Sequence, residues 1–326
     1  MSGSDPAATA RPVEGEDSGR GRPGSLSICI ATRNRCDELA RTLRELARLS
    51  PPPDEVLVVA DGCTDGTVEM LRRAHPEVRL LVQEPARGSI PSRNAMAQAT
   101  RCEIFLSLDD DSYPIESDFL ARVREDFARR PRLAVLSFPQ RSEEFPDSLR
   151  ATDFGPPRFP GSFANSGAAI RRAVFLELGG YPEQFGHMYE EPDFALRCVA
   201  AGWEVWQDPT RTVRHHFTGT ERSELRNHHR HARNELWSVL LRCPAPQVFG
   251  VALYRLARQW GYAWSRSPGW ALREPQWWLA AACGLGRCLA ERRPLPWRRY
   301  LAWMRLVGAP LVSEAEWREN FGVAPR

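Results

Sequence analysis

The chain has 326 residues, 42% hydrophobic and 26% charged, with a net charge of +3. That length holds one large α/β domain or two modest ones, and the balance of apolar and charged residues excludes an intrinsically disordered chain and a membrane-spanning bundle. The charge is unevenly placed: residues 221–326 carry 17 Arg against eight Glu, or +9, which leaves −6 for residues 1–220.

Nine of the 11 Trp share that basic tail. The combination suits an anionic, partly apolar surface such as a phospholipid headgroup layer. A solvated basic face over a Trp core reads equally well, while nucleic acid is disfavoured because no nucleic-acid motif accompanies the charge. Eight Cys without a CxxC pair argue against a zinc ribbon or redox dithiol and fit reduced thiols in the cytoplasm.

Residues 1–24 are Gly, Pro, Ser and charge, expected as a disordered leader and not a signal peptide. From Leu26 short β-type runs alternate with helical stretches, the pattern of an α/β fold with a largely parallel sheet. "LSICIA" reads as a strand, followed by a helix from about Asp37 with Leu39, Leu43, Leu46 and Leu49 on one face. "EVLVVA", a helix over 68–74, "VRLLV", a helix over 91–99 and "EIFLSL" complete the first half. No GxGxxG follows the first strand, so a dinucleotide cofactor is not expected.

Beyond "LAVLSF", the Pro-, Gly- and Phe-rich stretch Phe145 to Phe163 reads as irregular structure near a site. A helix through Phe194, Arg197 and Cys198 stops at Gly202, and a strand at 204–207 leads into "TVRHHFTG". The rest reads as helices broken by Pro244, Pro246, Pro268 and Pro294; its longest apolar stretch, Trp277 to Gly286, is too short to span a bilayer. The expected organisation is a leader over 1–24, an α/β domain over 25–220 and a basic, Trp-rich helical extension over 221–326.

Ligands of open α/β sheets bind at the carboxyl ends of the strands, and three strands here end in "TRNR", "DGCTDGT" and "DDDS". The last places Asp109, Asp110 and Asp111 side by side. Adjacent carboxylates suit a hard divalent cation that keeps open positions for substrate phosphates, although an Asp run after a strand also serves as a turn or helix cap.

The ordered set "ICIATRNR", "VLVVADGCTDGT", "RGSIPSRNAMAQA", "FLSLDDDSYP", "GAAIRRAVFLELGGYPE", "YEEPDFALR" and "VRHHF" resembles inverting glycosyltransferases of the family-2 type with a GT-A fold, the rhamnosyltransferase-like bacterial branch above all. The resemblance runs from about Leu26 to Phe217. It implies a nucleotide-sugar donor, UDP- or dTDP-linked, a hydroxyl acceptor on a glycan, lipid-linked glycan or secondary metabolite, and Mn2+ or Mg2+ as cofactor.

Position by position, the resemblance implies that Asp61 reads the base, with Thr32 and Arg33 nearby; the usual acidic neighbour of Asp61 is Ala60 here. Arg93 corresponds to the Arg beside the donor phosphates, where a guanidinium holds two oxygens. Asp109, with Asp110 beside it, would face the donor, Asp111 would bind the metal directly, and His215 would close the metal site, with His216 as the alternative. Single displacement with inversion needs a carboxylate base. Relatives carry Glu-Asp where this chain has Glu190 and Glu191, so Glu191 is the expected base and Asp193 its rival, with helix capping as the other role for Asp193.

Ser166 to Arg172 would underlie the acceptor site, with Gly167 allowing close backbone approach. Trp203 and Trp206 line the acceptor cleft or pack in the core. His231 to Pro244 is similar to the amphipathic helix that follows the catalytic domain in this branch, with Leu236, Trp237 and Leu240 on its apolar face, whereas His228, His229 and His231 read as a solvated face. The expected location is cytoplasmic, peripheral on the inner face of the membrane. The competing readings are a nucleotidyltransferase, for which "TRNRCDE" is a poor phosphate loop, and a non-catalytic sugar-nucleotide-binding protein, which the Glu at position 191 favours.

Overall fold

A computed structural model describes residues 22–217 and 223–322. The expected disorder of residues 1–21 lies outside the described residues. Residues 22–24, counted in the leader, belong instead to the first strand, β1 (Arg22–Thr32), where Arg22 pairs with Cys102. Chain order continues α1 (Cys36–Leu46), β2 (Glu55–Asp61), α2 (Thr67–Ala74), β3 (Arg79–Gln83), α3 (Ser89–Ala99), β4 (Cys102–Asp109), β5 (Ser112–Pro114), α4 (Phe119–Arg129), β6 (Leu133–Ser137) and β7 (Gln140–Ser142). Then come β8 (Ala168–Arg171), α5 (Arg172–Glu177), α6 (Glu190–Ala200), β9 (Glu204–Gln207) and β10 (Val213–His215).

A seven-stranded sheet runs β3-β2-β1-β4-β8-β6-β9, and a small sheet runs β5-β10-β7. The large sheet is parallel except at β8, which is antiparallel to both β4 and β6. Strand β1 is buried almost throughout because helices cover both faces, as parallel strands require. Alternate residues divide between the two cores. Ile28 and Ile30 meet Leu39, Leu43 and Phe119 on one side, and Cys29 meets Ile90, Met96 and Phe105 on the other.

The extension comprises α7 (Glu224–Arg242), α8 (Gln247–Arg266), α9 (Pro268–Ala271), α10 (Glu274–Cys283), α11 (Leu285–Ala290), α12 (Trp297–Gly308) and α13 (Glu314–Phe321). Most of its core is shared: Trp237, Tyr300, Trp303 and Trp317 join one apolar cluster with Phe175 and Phe194 of the α/β part, while a small cluster around Ala232, Trp277 and Ala281 belongs to the extension alone. The stretch 145–163, expected to be irregular near a site, largely lacks regular structure, but its end serves the core. Phe159 is buried, pairs with Leu311 and stacks on Trp317 with ring centroids 5.4 Å apart, and the Trp303 Nε1–H donates to the Gly161 carbonyl at 2.9 Å.

One further expectation changes, and of the two readings of Trp203 and Trp206 the core one holds. His228, His229 and His231 are not a solvated face: His228 is buried 2.9 Å from Glu274, His229 lies 3.5 Å from the same carboxylate, and the His231 ring packs edge-on to Tyr189. Glu274 has no exposure at all, so a buried carboxyl group gathers His228 and His229 inward. Trp206 faces the core side, packed on Phe159 with Arg130 over its ring, and Trp203 packs against the same cluster.

Candidate functional site

The acidic triplet follows β4 at its carboxyl end. The Asp109 N–H donates to the Ser112 hydroxyl at 2.9 Å, closing the turn into β5. Thr42 on α1 donates to the Asp110 carbonyl, and the His216 N–H donates to the Asp111 carbonyl at 2.9 Å. Clamps on their backbone from α1 and from the small sheet therefore fix three like charges whose side chains diverge.

The middle carboxylate turns inward. Asp110 accepts from the Thr32 hydroxyl at 2.8 Å and lies 3.2 Å from the Arg35 guanidinium. Burial pushes its carboxyl up to about 7, against the pull of Arg35. Asp111 is buried too, but His215 and Arg35 outweigh that burial and hold its carboxyl below the usual range. Its oxygens lie 2.5 Å from Arg35 and 3.3 Å from the His215 Nε2. Asp109 is the open member, its side chain 34% exposed, 2.5 Å from Arg93.

Asp109, Asp111 and His215 each turn a ligand atom into one space, all within 4.8 Å of one another. Two carboxylates and an imidazole, with room for other oxygens, fit manganese or magnesium. His216 turns the other way, its Nε2 3.0 Å from the Tyr113 hydroxyl, so His215 is the histidine on the site.

Arg93, buried on α3, joins the triplet to the second acidic pair: it holds Asp109 and approaches Glu190 at 3.8 Å. The Arg93 Nε and the Glu190 Oε2 are buried without hydrogen-bond partners among the described residues. Buried polar atoms are rarely left so, and the pair is suited to an incoming polar ligand. Glu190 and Glu191 open α6 directly after Met188 and Tyr189, both in left-handed backbone (φ 77° and 71°). This sharp reversal aims the first turn back at α3. Burial raises both carboxyls; Glu191, beside the Glu190 charge, reaches about 8.

Asp61 ends β2, and its two oxygens accept from the backbone N–H groups of Arg87 (2.6 Å) and Gly88 (2.8 Å), the loop that enters α3. Arg33 is exposed at the end of β1. Gly167 holds φ 100°, and a Cβ there would approach the Val213 side chain to 2.7 Å, so the glycine lets the backbone pass close against β10.

Asp193, the rival base, is corrected. It has no exposure and points away from the triplet, into the extension. It accepts from Ser238 at 2.8 Å, Arg197 at 2.9 Å and Arg242 at 3.1 Å. Against the cost of burial, Arg242 and Arg197 hold its carboxyl low. An anion tied into three donors cannot reach an acceptor hydroxyl.

Sequence reasoning missed two groups. Arg35 supplies the positive charge on Asp110 and Asp111; "TRNR" contained it, but only the turn at Asn34 (φ 53°) brings it back onto the triplet. Asn234 of α7 donates to the carbonyls of Phe185, His187 and Met188 at 2.7–3.0 Å, holding the loop that delivers Glu190 and Glu191.

Residues 27–178 match the family model described as Glycosyl transferase family 2. Succinoglycan biosynthesis protein ExoA of Rhizobium meliloti is 25% identical over 325 residues, covering 90% of this chain and 94% of its own. The N-acetylglucosaminyl-diphospho-decaprenol L-rhamnosyltransferase of Mycobacterium tuberculosis is 24% identical over 255 residues, 63% of this chain and 81% of its own. Among solved structures, the mannosyltransferase PcManGT from Pyrobaculum calidifontis, in complex with GDP-Man and Mn2+, superposes with a TM-score of 0.56 at 21% identity over 93% of this chain and 89% of its own.

Proposed function

Because residues 27–178 are a family-2 glycosyltransferase domain in a chain with the GT-A fold, we propose that this glycosyltransferase is a metal-dependent, inverting enzyme. It moves a sugar from a UDP- or dTDP-linked donor to a hydroxyl of a glycan, lipid-linked glycan or secondary metabolite. The nucleotidyltransferase reading is set aside with the family. The observation that carries the proposal is the Asp109–Asp111–His215 cluster joined through Arg93 to Glu190, the neighbour of Glu191.

A divalent ion held by Asp109, Asp111 and His215 would neutralise charge on the leaving diphosphate. Arg93, swung from Asp109 to the donor, binds phosphate oxygens. Asp61, with Thr32 and Arg33 nearby, meets the nucleoside end; each Asp61 oxygen keeps a lone pair after accepting its backbone N–H. Glu191 takes the acceptor proton while the acceptor oxygen bonds to the anomeric carbon. The bond from that carbon to the diphosphate oxygen breaks on the opposite face, and its electron pair leaves with the nucleotide.

Among the described residues no helix is long and apolar enough to cross a membrane. The basic extension supports work as a peripheral protein at the inner membrane face, on a lipid-linked acceptor of polysaccharide biosynthesis. Melting temperatures measured with Mn2+ against UDP-, dTDP- and GDP-sugars test the proposal, since a ligand of the folded state raises the transition. A Mn2+-dependent rise with one donor, slow hydrolysis of that donor, and loss of both in Asp111→Asn are expected. No rise with any donor, or an Asp111→Asn protein as active as the parent, would reject it.

A further inference from the structure

Helix α8 has two apolar faces. Val248, Val251 and Ala263 pack inward, while Phe249, Leu253, Trp260 and Trp264 recur at helical spacing on another side and stand open to solvent, Leu253 at 69% and Trp264 at 60%. Across from them α10 and α11 present Leu279, exposed at 71%, and Leu285. Between these helices and α7 lies a hollow of about 680 Å³ lined by side chains such as Leu236, Leu253, Trp260, Trp278 and Leu285, with no charged residue in its wall. An open apolar surface of this extent on a polar-rimmed protein marks a contact face.

The charges around it choose the partner. From Gln247 to Ala290 the chain has five Arg, no Asp and one Glu, and that residue, Glu274, is fully buried. The outer surface of α8–α11 therefore offers large apolar side chains and guanidinium groups with no exposed acid of its own. Arg266 and Arg287 reach Glu224 and Glu291 just outside the segment, but such exposed pairs are weak and leave both Arg available.

We infer that this face of α8, α10 and α11 lies on an anionic phospholipid surface, with the Trp and Leu side chains in the headgroup–acyl boundary and Arg266, Arg273 and Arg287 at the level of the lipid phosphates, whereas Arg258 is held by the buried Glu235. A second copy of the chain is a poorer occupant, because two-fold pairing sets one acid-free, Arg-bearing surface against another. Residues 1–21 are poorer still: they hold net negative charge but no aromatic residue, Leu or Ile to fill the hollow. The inference deepens the lipid-linked-acceptor reading and rests on it for its purpose, but its test is independent of turnover.

The test is co-sedimentation of the full chain with phosphatidylcholine vesicles, with and without phosphatidylglycerol, alongside the double variant Trp260→Glu, Leu285→Glu. Both positions are exposed, and a melting curve checks folding. The wild type is expected to pellet with phosphatidylglycerol vesicles, less so as salt is added. The variant should partition about tenfold less or lower still, since each Leu- or Trp-sized contact with lipid is worth about a decade. Equal pelleting of variant and wild type, pelleting indifferent to phosphatidylglycerol, or a dimer by light scattering that the variant dissolves would overturn the assignment. Donor hydrolysis without vesicles, unchanged in the variant, separates this outcome from a failure of the glycosyltransfer mechanism.

Discussion

Three adjacent aspartates coexist at the end of β4 because their surroundings differ. Asp110 is turned into the fold and carries a carboxyl raised to about 7 by burial, while Asp109 faces Arg93 and Asp111 keeps its charge opposite His215 and Arg35. The triplet was legible as a candidate ligand set; which member faces inward was not, because that depends on Thr32 and Arg35 from another strand end. For the base, Glu191→Gln is expected to lower kcat by roughly 10²–10⁴-fold while the donor- and Mn2+-induced rise in melting temperature stays. Loss of that rise instead would make Glu191 a binding residue. The base works only deprotonated, so kcat/KM for the donor should climb with pH through an apparent value on the alkaline side of neutrality, near the value of about 8 that burial and Glu190 impose. Bound cations stabilise the ionised form, and the corresponding limb in kcat should lie at lower pH.

At the scale of elements, the junction of α6 and α7 decides where Glu191, the proposed base, stands. Asn234 holds three loop carbonyls, Tyr189 donates to Glu235, and Ser238 and Arg242 hold Asp193, so one side of α7 grips the first turn of α6. Asn234→Ala is expected to cost up to about 10²-fold in kcat through misplacement of Glu191, with donor binding by melting shift retained. Equal loss of both would mean general unfolding of the site. Arg242→Met leaves the Asp193 charge buried with fewer partners and should destabilise the protein by about 3–5 kcal/mol in denaturant titration. The apolar side of α7, with Trp237, was readable from helical spacing. Its polar side was not, because Asn234, Ser238 and Arg242 find their partners some forty residues or more upstream and periodicity carries no information about partners so distant.

Over the whole molecule, alternating strands and helices, the missing dinucleotide loop and the basic tail were all visible in the sequence. The way the tail returns was hidden. Helix α13 brings Trp317 onto Phe159, and Arg130 pairs with Glu314, so the end of the chain seals the edge strand β9 near Trp206. Reading the stretch after Pro294 as helical locates neither the bounds of α13 nor its seat. Trp317 is 1% exposed, and Trp317→Ala should lower stability by about 3–5 kcal/mol in a melting experiment, with kcat per folded molecule unchanged. A matching loss of kcat would extend the influence of this seam to the chemistry.

The small sheet has a consequence of its own. Strand β10 meets β5 at His215 and Ser112, so the imidazole joins its two carboxylates only after nearly the whole α/β unit has been threaded and closed. A half-folded chain would own two of the three proposed ligands and would grip a cation weakly. Manganese capture would thus report completed assembly, and chelation would loosen a rivet between the end of β4 and β10, felt far from the sugar.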